Sequence, residues 1–273
     1  MLMEEHAHLP DTNQLSILSA TILLGYALTP FVRIPEMNVV LRLPFASFTY
    51  SLNFANVVSI LTAFLAAVGA DWLIQSHPHA ENSRSWPHMI LPALTAWIIG
   101  VPLGTLAIGL PWWGVFAMGG ALLSLVFIAE YIVIDFADSR HGPASVGLTA
   151  LSFSLYLILA IAVRAAGLRL YLLLPILVIP LTLICWRTLI LRLGGQWSVS
   201  WILGIVIVTG QVMVGLQYWP VSPLAYGLIL TGLAYGLTNI AGSFEENHSW
   251  PGLLVEPGLV TGLLWLVAFL TGG

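Results

Sequence analysis

The sequence predicts an all-α fold: a polytopic integral membrane helix bundle with about nine transmembrane helices, eight being the alternative count. Of its 273 residues, 59% are hydrophobic and only 7% are charged, whereas a soluble domain is about one quarter charged. The mean hydropathy of +0.95 agrees with this interpretation. Eight basic and twelve acidic side chains cannot cover the surface of a water-soluble protein of this length. Residues 1–273 are therefore predicted to form a single transmembrane domain that contacts the lipid bilayer.

The same composition excludes several classes of function. The net charge is −4 and the basic residues are scattered, so no surface for nucleic acid is expected. Cys185 is the only cysteine, which excludes a disulfide framework. All eight basic residues are arginines, and without lysine no cofactor can be held as a lysine Schiff base. No nucleotide-binding or nucleophile motif is found, and no cofactor is expected.

Nine stretches are long and apolar enough to cross a bilayer, which takes about 20 residues of helix. A short acidic tail, residues 1–13, precedes the first of them. The tail has no basic residue, unlike a cleaved signal peptide, so the first span is expected to be retained. The predicted spans are 14–33, 53–75, 88–109, 111–135, 145–166, 169–193, 198–219, 222–242 and 252–271.

Two boundaries between spans decide the count. Residues 88–135 form one apolar run that is too long for a single crossing, and the segment 109–113, Gly-Leu-Pro-Trp-Trp, divides it. Proline is well suited to the first turn of a new helix, and tryptophan favours the membrane interface. The weakest division separates spans five and six, where only Arg164 to Arg169 interrupts the apolar sequence. Two arginines so close together are unfavourable at mid-membrane, so we place this segment at an interface.

Residues 34–52 are the longest predicted stretch without a helix. Prolines interrupt it, and residues 45–52 partly alternate between polar and apolar side chains. This alternation favours a short strand or hairpin on the membrane surface. An irregular amphipathic loop is the equally weighted alternative.

Nine spans sort the charges onto two sides of the membrane. Side A has the N-terminus and the loops after spans two, four, six and eight, and side B has the other loops and the C-terminus. Side A receives four arginines, eleven acidic residues and all seven histidines, whereas side B receives four arginines and one glutamate. The positive-inside rule counts only basic residues and therefore ties. The nearly unopposed arginines of side B favour an N-terminus outside and a C-terminus inside, in a plasma or inner membrane.

Three pairs of glycines are spaced to lie on one helix face. They are Gly100 with Gly104, Gly232 with Gly236, and Gly258 with Gly262. Such faces let another helix approach closely in lipid. Packing within the bundle is favoured, and contact with a second copy or with a partner in a membrane complex is the alternative.

Glu130 is the most informative polar residue. It follows several apolar turns of span four and lies about 7–8 Å inside Asp135, at about 1.5 Å of rise per residue. An ionised carboxylate at this depth is unfavourable. Glu130 is therefore interpreted either as a site for a proton or cation, or as half of a structural ion pair with Arg187 or Arg192.

Three further residues are candidates for a transport or proton site. Asp71 and Glu256 lie within two turns of side A on spans two and nine, and Gln211 lies near the middle of span seven. Taken alone, each carboxylate is more typical of an interfacial group, and Gln211 is more typical of an amide that links helices. Together with Glu130 they would line a solute path if their helices are neighbours.

The histidines of side A are weak candidates for metal ligands. Imidazole and carboxylate groups suit zinc and related metals, but the spacing here matches no metal motif, and no bound metal is expected. The candidates are His77, His79, His88, His141 and His248.

These observations support three hypotheses of function. Transport of a small solute or ion, with proton coupling as an option, is favoured because of Glu130, Asp71, Glu256 and Gln211. The first alternative is a membrane-embedded enzyme with a histidine and carboxylate site that acts on a lipidic substrate. The second is a non-catalytic subunit of a membrane complex. The residues favour a transporter over an enzyme.

Overall fold

The structure, a computed structural model, is a bundle of long helices with one β-hairpin. It describes residues 10–32, 37–43, 46–52, 54–77, 86–135, 139–193, 199–246 and 250–272. The elements within this part of the chain are α1 (Thr12–Leu28), β1 (Met37–Leu43), β2 (Ala46–Leu52), α2 (Phe54–Gln75), α3 (Trp86–Thr105), α4 (Leu110–Ile132), α5 (His141–Ala165), α6 (Leu170–Arg192), α7 (Val199–Gln217), α8 (Pro223–Glu245) and α9 (Trp250–Thr271).

The predicted class, a polytopic membrane helix bundle, is confirmed. Eight of the helices in the described ranges, α2 to α9, are long and apolar enough to cross a membrane. The remaining helix, α1, has 17 residues, which is the lower limit of about 17 for a spanning helix. Polar side chains do not interrupt the helices because they bond to the preceding turn: the Thr95 hydroxyl donates to the Leu91 carbonyl at 2.7 Å.

Both decisive boundaries lie where the sequence places them. The segment between α3 and α4 is short, and Pro111 lies in the first turn of α4. Trp112 donates its indole N–H to the Leu103 carbonyl at 3.1 Å, which satisfies one of the carbonyls that the end of α3 leaves without a helical partner. Between α5 and α6, Gly167 adopts a φ of 63°. This left-handed conformation favours glycine and lets the chain reverse after α5.

The segment between α1 and α2 contains the hairpin that the alternation favours. Strands β1 and β2 pair antiparallel, in a register that joins Met37 to Leu52 and Leu43 to Ala46. The irregular-loop alternative is therefore wrong for residues 37–43 and 46–52. The prolines of this segment, Pro35 and Pro44, lie outside the described residues.

The helices group into two compact units, residues 1–144 and residues 145–273. We call them unit 1 and unit 2. Unit 1 contains the hairpin and α1 to α4, and unit 2 contains almost all of α5 together with α6 to α9. That the whole chain acts as one transmembrane domain stays a prediction.

Unit 1 is closely packed around α2 and α3. The Gly100 face lies against α2, where an added Cβ would collide with Ser59 and lie 3.1 Å from Tyr26 Cε1. The Tyr26 hydroxyl of α1 donates to the Ala96 carbonyl of α3 and accepts a hydrogen bond from the Thr62 hydroxyl of α2 at 2.6 Å. A single side chain therefore links three helices inside unit 1.

Unit 2 is organised around α8. On one side of α8, a Cβ at Gly227 would lie 2.7 Å from Ile161 of α5. On another, Gly232 and Gly236 face α9, and the Thr261 hydroxyl donates to the Gly232 carbonyl at 2.9 Å. Internal packing is thus confirmed for this glycine pair, as it is for the Gly100 face.

The third glycine pair, on α9, behaves differently. A Cβ added at Gly258 or at Gly262 would meet no atom within 4 Å. Side chains beside these glycines are exposed, among them Leu259 and Leu263. The outer face of α9 is therefore open, and its contact with a partner stays a prediction.

Candidate functional site

The most buried carboxylate of the described residues lies at one end of unit 1 and is bonded to a histidine. Glu130 is 1% exposed, and its Oε2 lies 2.8 Å from His88 Nδ1. The His88 side chain is 12% exposed, so the histidine lies between the buried carboxylate and the surface of unit 1.

The helical framework explains why these two residues meet. Glu130 lies in the last turn of α4, and His88 lies in the first turn of α3. Since α3 and α4 are antiparallel neighbours, the end of one helix faces the start of the other. Sequence reasoning selected both residues but gave them different roles, Glu130 as a proton site and His88 as a weak metal ligand. Their placement on the same predicted side was the signal that could have paired them.

The hydrogen bond between these side chains can hold its proton in three arrangements. A neutral imidazole protonated on Nδ1 can donate to a carboxylate, which leaves one negative charge on the dyad. When Nε2 also carries a proton, a charged imidazole donates to the carboxylate or a neutral carboxylic acid donates to a neutral imidazole, and neither arrangement has a net charge. In this protonated state the dyad can move a proton between nitrogen and oxygen without creating a net charge inside the unit.

A second histidine lies at the same end of unit 1. His77 follows α2 and is 5% exposed. Its ring meets the ring of Tyr131 edge-on, with centroids 4.6 Å apart and an interplanar angle of 64°. Tyr131 directly follows Glu130 in α4. This end of unit 1 therefore combines a histidine that follows α2, a histidine from α3, and a carboxylate and a tyrosine from α4. We call His77, His88, Glu130 and Tyr131 the polar cluster of unit 1.

The two arginines considered as partners of Glu130 both belong to unit 2. Arg192 forms a bidentate pair with Glu246, with Nε at 2.6 Å from Oε1 and Nη2 at 2.9 Å from Oε2. Arg192 also donates to Asn239 Oδ1 at 3.0 Å and to Ser243 Oγ at 2.8 Å. Its guanidinium therefore ties α6 to the last turns of α8.

Arg187 lies one and a half turns earlier in α6 and is 2% exposed. The hypothesis that this arginine pairs with Glu130 stays a prediction. If the pair exists, removal of the Glu130 carboxylate leaves a buried arginine without its partner and destabilises the protein.

The other predicted path residues do not join the polar cluster of unit 1. Asp71 accepts a hydrogen bond of 2.7 Å from Gln75 of its own helix in an exposed position. Glu256 is exposed on α9 and accepts a bond of 3.4 Å from the Tyr235 hydroxyl. Gln211 is exposed on α7. Asp71 thus shares a unit with Glu130 but contacts its own helix, while Glu256 and Gln211 belong to unit 2.

The described residues do not bring the weak candidates for metal ligands together. Within the described ranges, no three histidine, cysteine or acidic side chains are close enough to hold a metal ion. His141 begins α5 and is partly exposed. His79 and His248 lie outside the described residues.

The helices and their composition define the chain as a multi-pass integral membrane protein. A family model described as a protein of unknown function, DUF5656, matches residues 34–271. The chain belongs to this family, and the match covers the hairpin and α2 to α9. No curated protein matches the chain, and neither does any solved structure.

Proposed function

We propose that the protein transports a small solute or ion across the membrane and that Glu130 and His88 couple this transport to protons. The observation that carries the proposal is the hydrogen bond of 2.8 Å between a carboxylate that is 1% exposed and a histidine. Ionisable side chains are rare within membrane spans and are typical of proton relays and ion pathways.

The difference in exposure between the two side chains gives the proton a route. His88 is partly exposed at the end of α3, whereas the Glu130 side chain is 2% exposed. A proton from the aqueous side would reach the imidazole first and then pass to Glu130 through the existing hydrogen bond. Histidine suits this role because its charge changes near neutral pH.

The first turn of α3 is less constrained than an ordinary helical turn. Pro92 follows His88 by four residues and lies inside α3. Proline has no backbone N–H, so it cannot donate the usual helical bond to the His88 carbonyl. This supports a hinge at the start of α3 that lets His88 change its exposure as the proton moves.

Charge balance supports coupling to a solute. With a proton on His88 Nε2 and one in the shared hydrogen bond, the Glu130–His88 dyad is neutral, whereas loss of a proton leaves it negative and gain of another leaves it positive. A net charge is unfavourable in a buried position of a membrane span. A change in the number of bound protons is therefore favoured when a compensating charge or a conformational change accompanies it, which is the condition for coupled transport.

The proposal includes an orientation. We propose that the N-terminus lies outside and the C-terminus inside, in a plasma or inner membrane. The arginines of side B, which have almost no acidic neighbours in the sequence, support this orientation. Glu130 and His88 would then load their proton from the outside.

Proton movement in reconstituted liposomes tests the proposal. Liposomes that contain the protein and an internal pH dye are given a potassium diffusion potential, and proton entry is compared with protein-free liposomes. Infrared difference spectra after a pH jump detect whether Glu130 exchanges between the acid and the carboxylate. We expect both signals in the wild type and their loss in Glu130→Gln.

The matched control is Glu256→Gln, which makes the same chemical change at an exposed carboxylate. This variant should retain the infrared band of Glu130 and the wild-type proton entry. The proposal is wrong if the wild type shows neither proton entry nor a pH-dependent band that Glu130→Gln removes.

A further inference from the structure

Unit 2 contains an apolar crevice where α8 begins and α9 ends. Its volume is about 590 Å³, within the range of about 300–1,000 Å³ that is typical of ligand pockets. The nearly inaccessible methyl groups of Ala225 and Ala268 contribute to its inner wall, and the exposed rings of Trp219 and Phe269 lie at its rim. An apolar cavity with an exposed aromatic rim suits a hydrocarbon chain that enters from the membrane interface.

Hydrogen bonds join the two walls of the crevice and fix their separation. The Ser222 hydroxyl donates to the Thr271 carbonyl at 3.4 Å, and Ser222 also caps the start of α8. Deeper in the unit, the indole N–H of Trp265 donates to the Ile229 carbonyl at 3.2 Å. From Ser222 to Ile229, α8 rises by about 10 Å, at about 1.5 Å per residue. The crevice is therefore preformed and reaches well into the apolar part of the unit.

An arginine is fixed beside the rim of the crevice. Arg164 of α5 donates to the Trp219 carbonyl at 3.2 Å and to Gln217 Oε1 at 2.8 Å. Gln217 in turn donates to the Leu168 carbonyl at 3.3 Å, in the turn between α5 and α6. These bonds hold the turn that carries Arg164 and Arg169 next to the turn that begins the crevice.

The charged side chains at this end of unit 2 are both arginines, Arg164 and Arg169. The acidic residues of unit 2, Glu245, Glu246 and Glu256, lie at the other ends of α8 and α9. An apolar crevice and an unopposed positive rim together match a ligand with a hydrocarbon chain and an anionic headgroup.

We propose that this crevice binds one anionic phospholipid, with an acyl chain between α8 and α9 and the phosphate beside Arg164 and Arg169. Arginine suits the phosphate because its planar guanidinium donates several parallel hydrogen bonds. Trp219, at the rim of the crevice, is a type of residue that favours the headgroup region. The lipid would fasten the start of α8 to the end of α9, independently of the Glu130–His88 dyad.

Native mass spectrometry tests the site on the purified full chain. The protein is mixed in detergent with equal amounts of phosphatidylglycerol and phosphatidylcholine, and the lipid that stays bound is counted. We expect the wild type to retain one phosphatidylglycerol at least fivefold in preference to phosphatidylcholine. Arg169→Gln changes an exposed side chain and keeps the backbone carbonyl that accepts from Leu172 and Leu173. It should reduce this preference several-fold without loss of folding.

Two valine variants distinguish lipid binding in the crevice from general contact of lipid with the protein surface. Val221→Phe fills the crevice, because Val221 lines it, and should abolish retention of either lipid. Val255→Phe adds the same volume at an exposed position of α9 outside the lining, and should bind lipid as the wild type does. Equal retention of the two phospholipids by the wild type, or wild-type retention by Val221→Phe, would overturn the proposal.

Discussion

Units 1 and 2 accommodate buried polar side chains in different ways. In unit 1, Glu130 is bonded to His88 and the Tyr26 hydroxyl is bonded on both sides, to Thr62 and to Ala96. In unit 2, the well-bonded charged pair, Arg192 with Glu246, lies at a partly exposed end, with side chains 28% and 27% exposed. Unit 1 therefore buries an ionisable side chain at one of its ends, whereas the Arg192–Glu246 pair of unit 2 is partly exposed and fastens two helix ends.

Unit 2 also buries hydroxyl groups without satisfying them. The hydroxyls of Tyr156 and Tyr226 are inaccessible and have no hydrogen-bond partner within the described residues. A buried hydroxyl without a partner is unfavourable by about 1–3 kcal/mol. The contrast between these tyrosines indicates that the Tyr26 hydroxyl stabilises unit 1 through its hydrogen bonds, while Tyr156 and Tyr226 stabilise unit 2 through their rings.

The largest effect is expected from forcing apart the helices that hold the bonds of unit 1. In Gly100→Leu the new side chain collides with Ser59 and presses against Tyr26, so α2 and α3 must separate. Overpacking typically costs about 1–3 kcal/mol, and we expect about 3 kcal/mol here because side chains of two neighbouring helices must move. Denaturant unfolding in detergent should show this loss. Gly262→Leu, on the open face of α9, should leave stability almost unchanged, and an equal loss in both variants would contradict the packing described.

The next largest loss of stability is expected from breaking the Arg192–Glu246 pair of unit 2. Arg192→Gln removes both bonds to Glu246 and the bonds to Asn239 and Ser243. Exposed ion pairs contribute only about 0–1 kcal/mol, but this bidentate network should contribute about 2 kcal/mol, since bonds to charged groups are stronger. The same unfolding measurement checks it. A loss below about 0.5 kcal/mol would show that solvent screening removes the contribution of the pair.

A smaller effect should distinguish the two kinds of buried tyrosine. Tyr26→Phe removes the hydroxyl that links three helices and should destabilise the protein by about 1 kcal/mol. Tyr226→Phe removes a hydroxyl without a partner and should be neutral or stabilising. Thermal melts of the two variants, measured side by side, decide this. Equal destabilisation would mean that the Tyr226 hydroxyl is bonded in the folded protein.

Much of the helical framework could be predicted from the sequence. Length and apolarity alone define a spanning helix, so the periodicity of the sequence was not needed. Pro111 and Gly167 mark helix boundaries because proline lacks a backbone N–H and glycine readily adopts a positive φ. Glu130 could be identified for a similar reason, since a carboxylate in an apolar run is conspicuous. The hairpin was favoured only as one of two alternatives, because a short alternating stretch also suits an amphipathic loop.

The sequence places the partner of Glu130 among the residues of side A but does not identify it. His88 is 42 positions away on another helix, and apolar helices give little information about which of their faces meet. The same limit explains why the other residues of the candidate path do not join the polar cluster of unit 1. Asp71, Glu256 and Gln211 have suitable chemistry and depth. Helix rotation nevertheless leaves Glu256 and Gln211 exposed, and Asp71 partly exposed and bonded to its own helix. Depth can be counted along a sequence, but the direction of a side chain depends on packing.

The central claim is that Glu130 is a proton site and not half of a structural ion pair. Glu130→Gln keeps the shape of the side chain and can still form a hydrogen bond with His88 Nδ1, but it cannot titrate. If the claim is right, folding should lose less than about 1 kcal/mol, which corresponds to a shift of about 2–4 °C in Tm for a chain of this size. Proton entry into liposomes should disappear.

A thermal melt of Glu130→Gln in detergent, with Arg192→Gln as the reference for a broken ion pair, tests this claim most directly. The account predicts a melting temperature close to that of the wild type and above that of Arg192→Gln. If Glu130 balances a buried arginine such as Arg187, the variant strands that charge, and removing one partner of a buried pair costs about 3–5 kcal/mol. A fall in Tm of about 10 °C or more would therefore contradict the account.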